Sequence, residues 1–170
     1  MIEILLYRHA KAEKAAPAGT QGAVDSERRL SETGRSQAAW MGAELSRRGL
    51  LPDVVLASDS ARTRETVEIA SDGWSKRPQL HYLKDLYTGE WRDYVAAVAG
   101  LNRSEGRVMV VGHNPAIEAF VAHVDGRSVE MKTGCLALIE VEVDNLSQFD
   151  PGSPMDLWEV LRPPEAPYSP

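Results

Sequence analysis

The residues of this sequence best suited to chemistry follow apolar runs. Arg8 and His9 come directly after Ile2 to Tyr7, a run broken only by Glu3. Ser58 follows the run 53–57 and leads to Arg62, and His113 follows the run 107–112. Arg28 stands between the first two and is able to fold back over them. If the three runs are parallel strands, their C-terminal ends share one sheet edge, where ligands sit in open α/β sheets. Two imidazoles and three guanidiniums would then converge. An Arg beside a His at such an edge suits an anion, phosphate first of all. The whole chain carries a net charge of -6, so a cluster this basic is costly unless an anion neutralises it. Two imidazoles also raise the question of zinc. The candidate neighbours are Arg rather than Asp, Glu or Cys, and guanidiniums repel a cation. No metal and no cofactor are therefore expected. His81 and His123 do not fall at strand ends.

The elements that must position these residues can be taken in order. The run 2–7 reads as a buried first strand. Residues 11–27 are rich in Ala, Gly and Pro without an apolar period and read as a long loop, which in a compact chain is usually functional or disordered. Ser31 is a good N-cap, Ala38, Met41 and Leu45 mark a helical stripe, and Gly49 is a natural stop. A second strand over 53–57 precedes a helix capped by Ser58 or Ser60 and running to about Ala70. Arg62 falls in its first turn, a poor place for a cation unless an anion binds there. A short strand is expected over 79–83, a loop over 85–91 and a helix over 92–101 with Tyr94, Val95 and Val98 on one face.

The run 107–112 is the most strand-like of all and reads as central and buried on both faces. Asn114 is a fine N-cap and Pro115 fits the first helical position, so the next helix is expected to start there and to offer a backbone N–H to an anion. Strands over 134–143 and 155–161 are expected to pair as a hairpin. The resulting fold class is α/β, three-layered: a mostly parallel central sheet with helices on both faces and an antiparallel edge hairpin. Residues 1–161 read as a single domain and 162–170, with four prolines, as a Pro-rich C-terminal tail.

With 170 residues and 43% hydrophobic content the chain can bury a real core. The negative net charge argues against nucleic acid as a partner. No apolar run approaches membrane-spanning length, there is no secretion signal at the start, and one cysteine cannot form an internal disulfide, so a cytoplasmic location is expected. Cys135 reads as a small core residue, Trp40, Trp91 and Trp158 as packing residues, and Asp25, Glu27 and Glu32 as solvated carboxylates.

Taken together, Arg8-His9, the run Ser58-x-x-x-Arg62-Thr63-x-Glu65-Thr66 and Gly112-His113-Asn114-Pro115 resemble the histidine phosphatase superfamily, whose fold is phosphoglycerate mutase-like. The superfamily's usual third residue in the first motif is Gly; here it is Ala10. The short length, Asp25-x-x-Arg28-x-Leu30-x-x-x-Gly34 and the GHNP form resemble its SixA-type phosphohistidine phosphatase branch, over roughly residues 2–143. The resemblance implies that His9 is a nucleophile forming a phosphohistidine intermediate. It implies that Arg8, Arg62 and His113 hold the phosphoryl oxygens, with Arg28 as a further contact. Many members use a carboxylate after the third strand as general acid; Asp85 is the best positional match and Glu90 the second. The implied substrate is a phosphorylated protein, at phosphohistidine, with inorganic phosphate as product. A small phosphate ester, as for a phosphomonoesterase, and a non-catalytic phosphate-binding module are the alternatives. A mutase is disfavoured because no insertion is long enough to build a closed lid over a small metabolite.

Overall fold

The computed structural model describes residues 1–165, and its centre is the strand β1, Ile2–Arg8. Parallel to it runs β4, Gly106–Gly112, in register Ile2 to Gly106 and Arg8 to Gly112. Beyond β4 lie β2, Val54–Ser58, and β3, Gln79–Leu83, both parallel. On the other side β5, Leu136–Val141, pairs antiparallel with β1, and β6, Met155–Leu161, pairs antiparallel with β5. The six-stranded order is β3-β2-β4-β1-β5-β6. The sheet is thus mostly parallel with an antiparallel edge pair, as the alternating pattern of apolar runs and helical stripes requires.

Alternation along the strands divides the core in two. Ile4 and Leu6, with Val108 and Val110, face α4, Trp91–Ala99, and α5, Ala116–Asp125. Leu5 and Tyr7, with Met109 and Val111, face α1, Glu32–Arg48, and α2, Ala61–Ser71. A strand buried on both faces must be apolar at every position, which is why β1 and β4 read as continuous apolar runs.

The helix starts follow cap chemistry. The Ser31 hydroxyl accepts from the Gly34 N–H at 3.1 Å, and Gly49 closes α1 at φ 69°. Ser60, not Ser58, caps α2, and this leaves the Ser58 hydroxyl available to the site.

Three expectations need correction. The stretch 85–91 is not all loop: Asp85–Thr88 forms one helical turn, α3, too short to show a period. The helix after β4 starts at Ala116 rather than at Asn114. Asn114 does not cap it, because its amide donates to the Met131 carbonyl at 3.0 Å, and the Asn114–Pro115 peptide is cis. Trp158 is 73% exposed on the edge strand β6 and packs little, whereas Trp91 stacks on His123 at 4.4 Å. The tail expected over 162–170 lies outside the described residues from 166 onward. Among the described residues no helix is long and apolar enough to cross a membrane.

Candidate active site

The parallel register of β1 and β4 sets two histidines side by side. His9 leaves β1 with its N–H on the Gly112 carbonyl at 3.0 Å, and the His9 and His113 ring centroids are 5.0 Å apart. Both side chains are buried. The His9 Nδ1 lies 2.7 Å from the Ala10 carbonyl oxygen. A carbonyl only accepts, so Nδ1 carries the proton and Nε2 holds a lone pair. Arg62 Nε donates toward that Nε2 at 3.4 Å. Burial pushes the His9 imidazole down to about 3; the Ala10 carbonyl opposes this, while His113, Arg62 and Arg8 add to it. The ring is therefore neutral near pH 7, chiefly from desolvation and only secondarily from the guanidiniums.

His113 is fixed differently. Its backbone N–H donates to the Tyr94 hydroxyl at 3.0 Å, and that hydroxyl donates to the Leu86 carbonyl at 2.8 Å. A side chain at Gly112 would run into the Tyr94 ring, so only glycine lets this aromatic close beneath the strand end. His113 Nε2 is 2.8 Å from Ser58 Oγ. Ser58 Oγ already accepts the Ser60 N–H at 3.3 Å, and among the described residues its own hydrogen has no acceptor but His113. The other ring nitrogen, Nδ1, is buried without a protein partner among the described residues. Burial, followed by Arg62, pushes this imidazole down to about 4.

The guanidiniums are held by backbone and carboxylate. Arg8 Nη1 donates to the Met131 carbonyl at 2.8 Å, the same oxygen that takes the Asn114 amide. Arg62 is 5% exposed and donates to the Asp25 carbonyl at 2.9 Å and to Asp25 Oδ2 at 3.1 Å. Arg28 Nη2 pairs with Asp25 Oδ1 at 3.1 Å. The Tyr87 hydroxyl completes the cluster, donating to Asp25 Oδ2 at 2.7 Å, and its ring meets His113 edge-on at 5.3 Å. Tyr87, then Arg62 and Arg28, hold the Asp25 carboxyl below the usual carboxylate range against the opposing effect of burial.

The other residues of the α2 run wire this helix to the loop that follows His9. Thr66 Oγ1 accepts the Ala10 N–H at 3.1 Å and donates to the Arg62 carbonyl at 2.7 Å. Glu65 accepts the Leu30 N–H at 3.0 Å and pairs with Arg35 at 3.0 Å. Ala10 is fully buried against Leu30 and Ala38, and among the described residues none other than glycine has a positive φ, so the extra methyl group is absorbed without backbone strain.

Of the expected residues, the structure brings together His9, Arg8, Arg62 and His113, with Arg28 joined through Asp25. Asn114 stands beside them as a brace on Met131 rather than as a helix cap. Asp85 and Glu90 are exposed and make no hydrogen bond or ion pair with the cluster among the described residues. The Glu90 backbone N–H is taken by the Asp93 carboxylate at 2.7 Å. Asp25 is a correction: it is not merely solvated but lies across Arg62. Tyr87 and Tyr94 go unnoticed in the sequence, where each reads as an ordinary aromatic residue. The spacing Asp25-x-x-Arg28 is the one available signal for the carboxylate. Among the described residues no group of three or more His, Cys, Asp or Glu is placed to hold a metal ion.

Comparisons with known proteins place the chain in a family. A structure from Agrobacterium tumefaciens, assigned as the phosphohistidine phosphatase SixA, superposes with a TM-score of 0.78 at 27% identity, covering 95% of this chain and 97% of that one. A second structure so assigned, from Nakamurella multipartitia, gives 0.76 at 27% identity, covering 95% of each chain. An uncharacterized chloroplastic protein of Arabidopsis thaliana is 29% identical over 126 residues, which is 68% of this chain but only 57% of that protein. The family model for the histidine phosphatase superfamily (branch 1) matches residues 4–100. With family model and fold in agreement, the chain belongs to the histidine phosphatase superfamily, in its SixA-type branch.

Proposed function

We propose that the protein is a metal-independent phosphatase that works through His9 on phosphohistidine in a protein. The observation that carries this reading is the His9 ring itself: buried and neutral, its Nδ1 proton held by the Ala10 carbonyl and its Nε2 lone pair facing Arg62. A nucleophile needs that lone pair, and a phosphoryl group needs the cations around it.

In the first step the Nε2 lone pair forms a bond to phosphorus as the substrate's P–N bond breaks. The electron pair leaves with the substrate ring, which departs as neutral imidazole when its other nitrogen carries a proton. In the second step a water oxygen attacks phosphorus, the Nε2–P bond breaks, and inorganic phosphate leaves with His9 restored. Arg8 and Arg62 offer fixed forks to the equatorial oxygens, and His113 Nδ1, which has no protein partner among the described residues, makes a third contact when it carries the ring proton. Arg28 supplies outer positive charge.

The carboxylates favour a P–N over a P–O substrate. An alkoxide leaving group needs a proton donor. Asp85 and Glu90 are outside the cluster, and Asp25, which is inside it, is held in its ionised form by Tyr87 and the guanidiniums. A phosphoramidate needs less help.

The test is phosphate release from a phosphohistidine peptide, beside p-nitrophenyl phosphate, with chelator present, for the intact protein and His9→Ala. Turnover favouring the peptide and lost in the variant is the expected result. Turnover of the ester alone would move the assignment to a small-molecule phosphomonoesterase. Absence of both, with phosphate still bound by His9→Ala, would leave a binding module.

A further inference from the structure

A second concavity of about 530 Å³ adjoins the His9 site, with Arg8 lining it. Its charged walls come from Lys11 just after the nucleophile, Lys132 before β5 and Arg162 after β6. The two carboxylates present are Glu130 and Glu165. With Arg8 committed to the phosphoryl group, three cations against two anions still leave a local excess of one positive charge, in a chain whose net charge is -6. Chance distribution in so acidic a protein would give the opposite sign.

The carboxylates cancel little of this. Glu165 is 92% exposed and lies 3.6 Å from Lys132, a solvated pair worth little. Arg162 is oriented by the Glu130 backbone carbonyl at 2.8 Å, not by that residue's carboxylate.

The floor is rigid and shares its backbone with the nucleophile. Gln37, on α1, accepts the Lys11 N–H at 2.9 Å and packs against Gly134. Gly134 has φ 80°, a left-handed conformation that glycine takes without cost, and this aims its N–H at the His9 carbonyl at 3.0 Å and the Arg8 carbonyl at 3.2 Å. Anything seated in the groove is therefore held in fixed register with His9.

We propose that this groove binds acidic side chains flanking the phosphohistidine of the protein substrate. The proposal rests on the phosphohistidine reading and adds a sequence preference to it. The volume admits two or three side chains of an extended segment, and the groove is open and rimmed by charged side chains, as suits a peptide that must enter and leave. Lysines on such a rim attract carboxylates at long range and fade with salt.

The experiment uses the full chain and three phosphohistidine peptides, identical except for Glu, Gln or Lys at the flanking positions. The expected kcat/KM is about tenfold higher for the Glu peptide than for the Gln peptide at low salt, with the gap closing as salt rises. The charge reversal Lys11→Glu with Lys132→Glu should abolish that preference and transfer it to the Lys peptide. At high salt, where the rim charges are screened, the kcat for p-nitrophenyl phosphate should be unchanged, because neither side chain belongs to the phosphate cluster, and this also reports that the variant is folded. Equal turnover of the three peptides by the intact protein, or a Glu preference that survives the reversal, overturns the groove while leaving the phosphohistidine reading intact. Turnover of the ester with none of the peptides overturns both.

Discussion

The ends of β1 and β4 are near copies in space and differ in chemistry. Each is the C-terminal end of a parallel strand buried on both faces, each delivers a buried histidine, and the two rings lie 5.0 Å apart. Burial is the first cause of a lowered pKa at both. The difference is the nitrogen that is tied. At the β1 end a backbone carbonyl takes the Nδ1 proton and leaves Nε2 as a lone pair. At the β4 end a serine hydroxyl, which can donate as well as accept, engages Nε2 and leaves Nδ1 without a protein partner among the described residues. The same side chain in nearly the same environment thus leaves a different nitrogen facing the site: Nε2 at His9 and Nδ1 at His113. The deciding partner is a single oxygen: one that only accepts, beside one that also donates.

The sharpest way to break this comparison is to remove each ring in turn. His9→Ala should lose more than about 10³-fold in turnover and form no covalent phosphoenzyme, because nothing else offers a lone pair at phosphorus. His113→Ala should lose about 10²-fold, the usual effect of removing one donor from a developing charge, yet still form a phosphoenzyme that acid quench and mass measurement detect. Equal losses, with the phosphoenzyme absent from both, would mean that the two strand ends do not divide the work as their hydrogen bonds suggest.

The same two ends show how far a sequence can be read. Apolar, β-branched runs stopped by Arg-His, Ser or His locate the strand ends, because a strand buried on both faces admits little else. Ser31 and Gly49 mark α1 through cap chemistry that acts within four residues. What stays hidden acts at a distance. Asp25 looks solvated within a Gly- and Ala-rich loop, and its partners Arg62 and Tyr87 are 37 and 62 residues away. Asn114 has the chemistry of a cap, but its amide N–H donates to a carbonyl 17 residues on, and its side-chain oxygen meets no helix N–H among the described residues. The Tyr94 hydroxyl beneath His113 leaves no trace in an apolar stripe, because helical period reports the buried face and not what its polar tip touches.

The comparison also predicts a shared response to acid. Each ring titrates at about 6.5 in the unfolded chain and far lower in the folded one, at about 3 for His9 and about 4 for His113. Between those limits the unfolded state binds more protons, so stability rises with pH and is lost as pH falls below about 6.5. At pH 5 each histidine should cost the fold about 2 kcal/mol relative to pH 7. Denaturant unfolding at both pH values, for the intact protein and His9→Ala, isolates one share. The fall from pH 7 to 5 should be smaller in the variant by about that amount. Parallel curves would mean that His9 takes up its proton in the folded state as easily as in the unfolded one.

The smallest effect tests the finest part of the comparison, the hydroxyl that sets the second ring. Ser58→Ala leaves His113 Nε2 without its partner, so the ring is free to place its proton on either nitrogen. If the Ser58 hydroxyl fixes the tautomer, the variant should lose only a few-fold in turnover, since roughly half the molecules still present an Nδ1 proton and the burial of the ring is little changed. The loss should appear for phosphohistidine and for p-nitrophenyl phosphate alike, because both present the same phosphoryl oxygens. Nitrogen-15 shifts of the imidazole should move from an Nδ1-protonated signature toward a mixture in Ser58→Ala, while those of His9 stay in place. A His113 signature already mixed in the intact protein would show that the hydroxyl accepts from this ring instead of donating to it, and the contrast between the two strand ends would then reduce to the carbonyl of Ala10.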